Sequence, residues 1–149
     1  KCYFCRKSDE AVKMCSKCYN EMDFLPVQIN RIVEGKKVYC AGVYSKNLQK
    51  LIRGLKYHNQ KDLAYYLAKF MAEYFSKVTD KTDFEIIPVP IFPKREKKRK
   101  YNHMNLVGEE FARITGNSIH TTLIRRIKDT KPHSQLSKQV DFRYMCDCA

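Results

Sequence analysis

Two CxxC pairs, Cys2/Cys5 and Cys15/Cys18, open the chain with nine residues between them. Each CxxC turn places two thiolates on one side of a tetrahedral ion, and a second turn supplies the other two ligands. The segment that carries them must therefore fold back on itself within a very short stretch. The connecting RKSDEAVKM contains no glycine and is read as a short β-hairpin, giving a small four-cysteine zinc ribbon or knuckle. Four sulfur ligands leave no open position, which suits a structural ion: zinc first, an iron–sulfur centre second. The competing readings are four reduced thiols without metal, or two disulfides. Two CxxC units this close favour the metal.

The other cysteines agree with a reduced compartment. Cys40, Cys146 and Cys148 bring the total to seven, an odd number with no secreted-scaffold pattern. Cys40 lies in the alternating VYCAGVY and is read as a buried strand residue, while Cys146 and Cys148 stay unassigned. No apolar leader region stands at the N-terminus, and nowhere do about 18 apolar residues run together. The expectation is a cytoplasmic chain without a membrane span. A length of 149 residues leaves room for one modest core beside the knuckle, divided as ribbon and linker over 1–36 and an α/β domain over 37–149.

Charge narrows the partner. Lys and Arg number 29 against 16 Asp and Glu, a net charge of +13, which favours a polyanion: nucleic acid or a phosphorylated small molecule. Residues 94 to 100 read KREKKRK, six basic side chains around Glu96. A run of this kind is often only a solvated face, and its setting has to decide.

That setting comes from hydrophobic spacing. Lys37 to Tyr44 alternates as a strand with Val38, Cys40 and Val43 inward. Ser45 is a helix N-cap ahead of Leu48, Leu51, Ile52 and Leu55, and the helix ends at Tyr57. Asp62 caps a second helix reaching Phe75, with a stripe of Leu63, Leu67, Phe70, Met71, Tyr74 and Phe75. Phe84 to Val89 reads as a buried parallel strand, which Pro88 and Pro90 end because they lack an N–H. A third helix runs from near Asn102 to Thr115, burying Leu106, Val107, Phe111 and Ile114, with Gly116 as its C-cap. Ile119, Thr121 and Leu123 alternate as a last strand. The stretch from Lys128 onward reads as polar and irregular.

A strand ending in Pro88-Val89-Pro90, then a mobile basic loop, then a helix is an arrangement that handles phosphate. Ligands of open α/β sheets gather at the carboxyl ends of strands. This placement lifts KREKKRK above the solvated-face reading. Neither a Walker loop nor GxGxxG is present. His58, His103, His120 and His133 follow no metal-ligand spacing and are read as surface or hydrogen-bonding residues. Glu109 and Glu110 are read as solvent-facing on one helix.

Taken in order, the paired CxxC knuckle, AGVYSKNLQKLIRGLKYH, IIPVPIFPKREKKRKYNHMNLVGEEFA and RRIKDTKPHSQLS resemble the ComF family over most of the chain. These are competence-associated proteins with a phosphoribosyltransferase-like domain. The family's "KY" is Lys56-Tyr57, its "PVP" is Pro88 to Pro90, and its "Asn-Gln" is Asn102-His103. The resemblance implies a type I phosphoribosyltransferase-like parallel sheet behind a zinc knuckle, in a protein that handles DNA taken up by bacteria. By motif, Pro88, Val89, Pro90, Lys94, Arg95, Arg99 and Asn102 correspond to the phosphate- and pyrophosphate-approaching positions. The ligand implied is phosphoribosyl diphosphate, accompanied by magnesium in the intact family.

Several positions depart from that pattern. Lys100 stands in place of a glycine, and His103 and His133 in place of glutamines. The match ends at Ser137, and the acidic motif of two Asp followed by Thr-Thr-Gly is absent. The chain also begins at Lys1 without a Met, so a truncated or frameshifted product with an incomplete sheet and no transferase activity of its own is expected. The alternative function is a zinc-ribbon accessory protein that binds single-stranded DNA or the uptake machinery. It would use Lys97, Lys98 and Lys100, with Tyr3, Phe4, Tyr57 or Tyr101 for base stacking.

Overall fold

The computed structural model describes residues 1–7, 11–26 and 31–130, and for 31–33 the backbone only. Cys146, Cys148, His133 and the end of the RRIKDTKPHSQLS motif lie outside the described residues. In chain order the elements are α1 (Ser16–Asn20), β1 (Arg31–Val33), β2 (Lys36–Val38), α2 (Lys46–Tyr57), α3 (Leu63–Val78), β3 (Glu85–Ile86), α4 (Pro93–Arg99), α5 (His103–Thr115) and β4 (Ser118–Ile119).

The three helices expected from apolar spacing all form, because each presents one stripe to a common core. Leu48, Leu51 and Leu55 of α2 are buried against Leu63, Ala64, Ala68 and Phe70 of α3, and Val107 of α5 joins the same cluster. Met71 and Ile114 are each 37% exposed and so stand at the stripe's edge, not in it. The expected N-caps are in position but their side chains make no capping bond. Ser45 contributes only its backbone carbonyl, which accepts from Gln49 N at 3.2 Å. Asp62 instead faces Lys13 at 3.9 Å. Gly116 ends α5 at φ 71°, in the left-handed conformation that glycine adopts without cost.

The strands are shorter than their sequence pattern. Lys36–Val38 pairs antiparallel with Arg31–Val33 through Glu34 and Gly35, both at positive φ, as a two-residue hairpin turn requires. The boundary drawn after residue 36 thus falls inside this hairpin. Val38 and Val43 are 40% and 41% exposed, so they are not inward-facing, and Cys40 is half-buried. The parallel reading of the segment before Pro88 holds: Glu85 pairs with Ser118 and Ile86 with Ile119. Only these two rungs form, and Ile87 and Val89 are exposed. Thr121 and Leu123 lie beyond β4, in bends. The fold is mixed α/β with a two-stranded parallel sheet and a cysteine cluster at its N-terminus.

Aromatic packing binds the sheet to the helices. Phe84 meets Phe75 of α3 at 4.9 Å and Phe111 of α5 at 6.1 Å between centroids. Pro88 is buried against Gly108 of α5, where an added Cβ would lie 2.8 Å from both Pro88 Cγ and Ile119 Cδ1. That close approach sets the sheet against α5 and fixes where the chain emerges into α4.

A four-cysteine centre and a basic corner

The first CxxC lies in a turn and the second straddles the start of α1, with Cys15 at the N-cap and Cys18 inside the helix. In the connecting stretch, where a hairpin was expected, residues 11–14 form bends, and α1 starts directly after Cys15. One backbone bond, Tyr3 N to Lys13 O at 2.8 Å, closes the loop between the pairs. The four Sγ atoms all lie within 4.8 Å of one another, with Cys5 and Cys15 Sγ 3.8 Å apart. A tetrahedral site with metal–sulfur bonds of about 2.3 Å has sulfurs about 3.8 Å apart, so the four could hold one ion in that geometry.

The sulfur electrostatics fit a cation. Burial pushes the Cys2 thiol up, but backbone N–H groups of Cys5, Cys15 and Phe4 outweigh it and hold the thiol below its ordinary range. Two of these bonds, from Phe4 N and Cys15 N, run 3.4 Å to Cys2 Sγ. Burial and then the crowded sulfurs of Cys15, Cys5 and Cys2 drive the Cys18 thiol strongly up. Four neighbouring thiolates cannot all ionise without a positive charge among them, and a metal ion would supply it. The centre is anchored from outside by Asn47 Nδ2 to Cys18 O at 2.8 Å and Lys50 Nζ to Phe4 O at 2.9 Å.

The basic run folds differently from its expected form. Instead of a mobile loop it is the helix α4, with Pro93 in its first turn and Lys100 ending it at φ 67°. Lys, Arg and Glu are good helix formers and proline suits the first turn, so the segment needs no apolar stripe to be helical. Lys94, Lys97, Lys98 and Lys100 are exposed, while Arg95 and Arg99, one turn apart, are half-buried. Arg95 is engaged by Asp129 at 3.2 Å and by the Thr130 carbonyl, so its guanidinium serves the fold. The Asn102 side chain caps α5, accepting from Met104 N at 3.0 Å and Asn105 N at 3.1 Å. Of the Pro-Val-Pro turn, Pro88 is a packing residue, Pro90 is half-buried and Val89 is exposed.

What gathers instead is a corner between the ends of α2 and α4 and the start of α5. Arg99 Nη1 donates to His103 Nδ1 at 3.0 Å, and its guanidinium carbon lies 5.8 Å from the Tyr57 ring centroid. Burial, then Arg99 and Lys56, lower the His103 imidazole to about 4, so it is neutral and accepts. Lys56 is lowered too, by burial and then by Arg99. Tyr101 is buried with its hydroxyl donating to the Leu55 carbonyl, and Phe4 is buried in the core. Tyr3 is half-buried and bonded to His58 at 3.0 Å. Of the four proposed stacking rings, only Tyr57, at 60% exposure, presents itself to solvent. Lys56 and His103 lie outside the basic run and were marked only through the Lys56-Tyr57 and Asn102-His103 pairs; that they meet Arg99 is set by the fold.

His58, His103 and His120 all engage in hydrogen bonds, His120 with Glu85, as expected for non-ligand histidines. Among the described residues, no helix is long and apolar enough to cross a membrane. No family model matches the chain, and no solved structure matches it. It is similar to "Competence protein F" of Haemophilus influenzae, with 26% identity over 144 residues that cover 91% of this chain. The chain spans 63% of that relative's length. With its four-cysteine centre and the order of its motifs, the chain resembles the ComF competence family.

Proposed function

We propose that the chain acts in bacterial competence as a ComF-type protein whose α2–α4–α5 corner binds phosphorylated ligands, behind a structural zinc held by Cys2, Cys5, Cys15 and Cys18. The observation that carries this reading is a cationic corner without a counter-charge. Among the described residues, no carboxylate pairs with Lys56 or Arg99, although both are half-buried. Two desolvated cations side by side are unfavourable until an anion joins them. The similarity to a competence protein supports the process, and the parallel β3–β4 pair leading into Pro88 to Pro90 supports a phosphoribosyltransferase-like frame.

On this reading the ligands are phosphoribosyl diphosphate, brought with magnesium, and single-stranded DNA, met in the cytoplasm. Titration with phosphoribosyl diphosphate and with a single-stranded oligodeoxynucleotide at several salt concentrations is the test. Each phosphate contact adds about 0.7 to the log–log salt slope for single strands. The K97A/K98A double variant should therefore flatten the DNA slope by about one to two, while metal content stays unchanged. An unchanged slope would reduce α4 to a solvated face. Failure of both ligands to bind would remove the reading altogether.

A further inference from the structure

The basic corner holds a second kind of surface beside its cations. Tyr57 closes α2 with its ring 60% exposed. Arg99, from the end of α4, lies over that ring, and Lys56 precedes it on the same helix. Arg99 is held from behind by His103, which is 6% exposed. His103 is neutral and so leaves the full guanidinium charge available. The corner thus joins, within one residue step of α2, an exposed π-surface and two cations that no carboxylate satisfies among the described residues.

A bare phosphate would use the cations and ignore the ring. A hydrophobic peptide would use the ring and leave two desolvated cations unmatched. A ligand that satisfies both has a flat aromatic group joined to a phosphate by a short linker. We infer that Tyr57, Lys56 and Arg99 form a site for one nucleotide unit, with an unpaired base stacked on Tyr57 and its phosphate shared by Arg99 and Lys56. His103 is a positioning residue that aims Arg99. The inference deepens the phosphate-binding reading and rests on it. The nucleotide has two sources, a free mononucleotide or an unpaired position in single-stranded DNA. The exposed Lys97, Lys98 and Lys100 nearby in sequence offer contacts to flanking phosphates only in the second case.

The test compares the wild-type chain with Tyr57→Leu and Tyr57→Phe, titrated with an oligodeoxynucleotide, an abasic oligomer of the same length, a 5′-mononucleotide and inorganic pyrophosphate. Loss of base stacking predicts that Tyr57→Leu weakens oligodeoxynucleotide binding by at least about fivefold, with the salt slope unchanged. Tyr57→Phe keeps the ring and restores affinity. The abasic oligomer and pyrophosphate bind both variants as they bind the wild type. A parallel loss for the mononucleotide identifies a site that takes either source, and a loss confined to the oligomer identifies single-stranded DNA. If Tyr57→Leu binds the base-bearing oligomer as well as wild type does, the stacking site is overturned while the phosphate-binding reading stands. If wild type binds neither oligomer nor pyrophosphate at low salt, the parent reading fails first. Because Tyr57 is exposed, its replacement leaves the core intact, and an unchanged thermal midpoint verifies this.

Discussion

Lys100 sits at φ 67°, where a Cβ crowds the following carbonyl, and it does so to turn the chain from α4 toward the α5 cap. Glycine would hold this conformation without that cost. Lys100→Gly is therefore expected to raise stability by up to about 1 kcal/mol after glycine's greater unfolded-state entropy is offset, read as a higher denaturant midpoint. If Lys100 also contacts DNA, the same change lowers the salt slope, so fold and charge separate in one variant. His103 makes the pH argument. Burial, with Arg99 and Lys56, holds its folded value near 4, below the ordinary 6.5. The unfolded chain then takes up the proton first as pH falls. The stabilising contribution is complete above about pH 6.5 and is lost as pH drops toward 4, on the order of 3 kcal/mol at roughly 1.4 kcal/mol per pKa unit. His103→Gln should flatten the stability profile across that window in chemical denaturation. The sequence marked His103 only as a replaced glutamine, because burial between two cations is a tertiary fact.

At the scale of elements, α5 depends on Gly108, whose missing side chain admits Pro88 and Ile119. Gly108→Ala is expected to cost about 1–3 kcal/mol and to lower the thermal midpoint, since the added methyl meets a proline ring that cannot rotate away. The helices α2, α3 and α5 were legible because apolar residues recur at helical spacing along each. The helix α4 was not, because a row of charges carries no hydrophobic period and suggests a loop. Its signals were intrinsic propensity and Pro93 in the first turn. Strand lengths were overestimated for a related reason. Alternation from Lys37 to Tyr44 looked half-buried, yet only Lys36–Val38 joins a partner strand, and beyond it Gly42 makes a single antiparallel bridge to Phe24. β3 stops at Ile86, short of the expected Val89, and Pro88 and Pro90 offer no N–H that could extend its ladder.

Across the whole molecule, the cysteine centre is a wall of the core. Cys2, Phe4, Met14, Cys15, Cys18 and Met22 share one buried cluster with Leu51 of α2 and Phe70 of α3. Spacing alone picked out the four cysteines that could hold an ion, but no pattern in the sequence told that they would pack there. Tyr19 extends the attachment, donating to Glu73 of α3 at 2.9 Å. One ion per chain is expected by elemental analysis, zinc without sulfide. Its removal by chelation should destabilise the helices as well as the knuckle, read as a lowered midpoint in circular dichroism. Acid should release the ion as the thiolates protonate. The burial of the four cysteines is uneven: Cys2, Cys15 and Cys18 are at most 6% exposed, whereas Cys5 is half-buried. Exchange of an ion held there would thereby acquire a direction. An incoming chelator or competing cation meets Cys5 first, and the other three sulfurs let go only when the core itself opens. Turnover of the ion in Cys5→Ser should be fast and dependent on chelator concentration, while in the intact chain it should level off at a ceiling set by the opening rate.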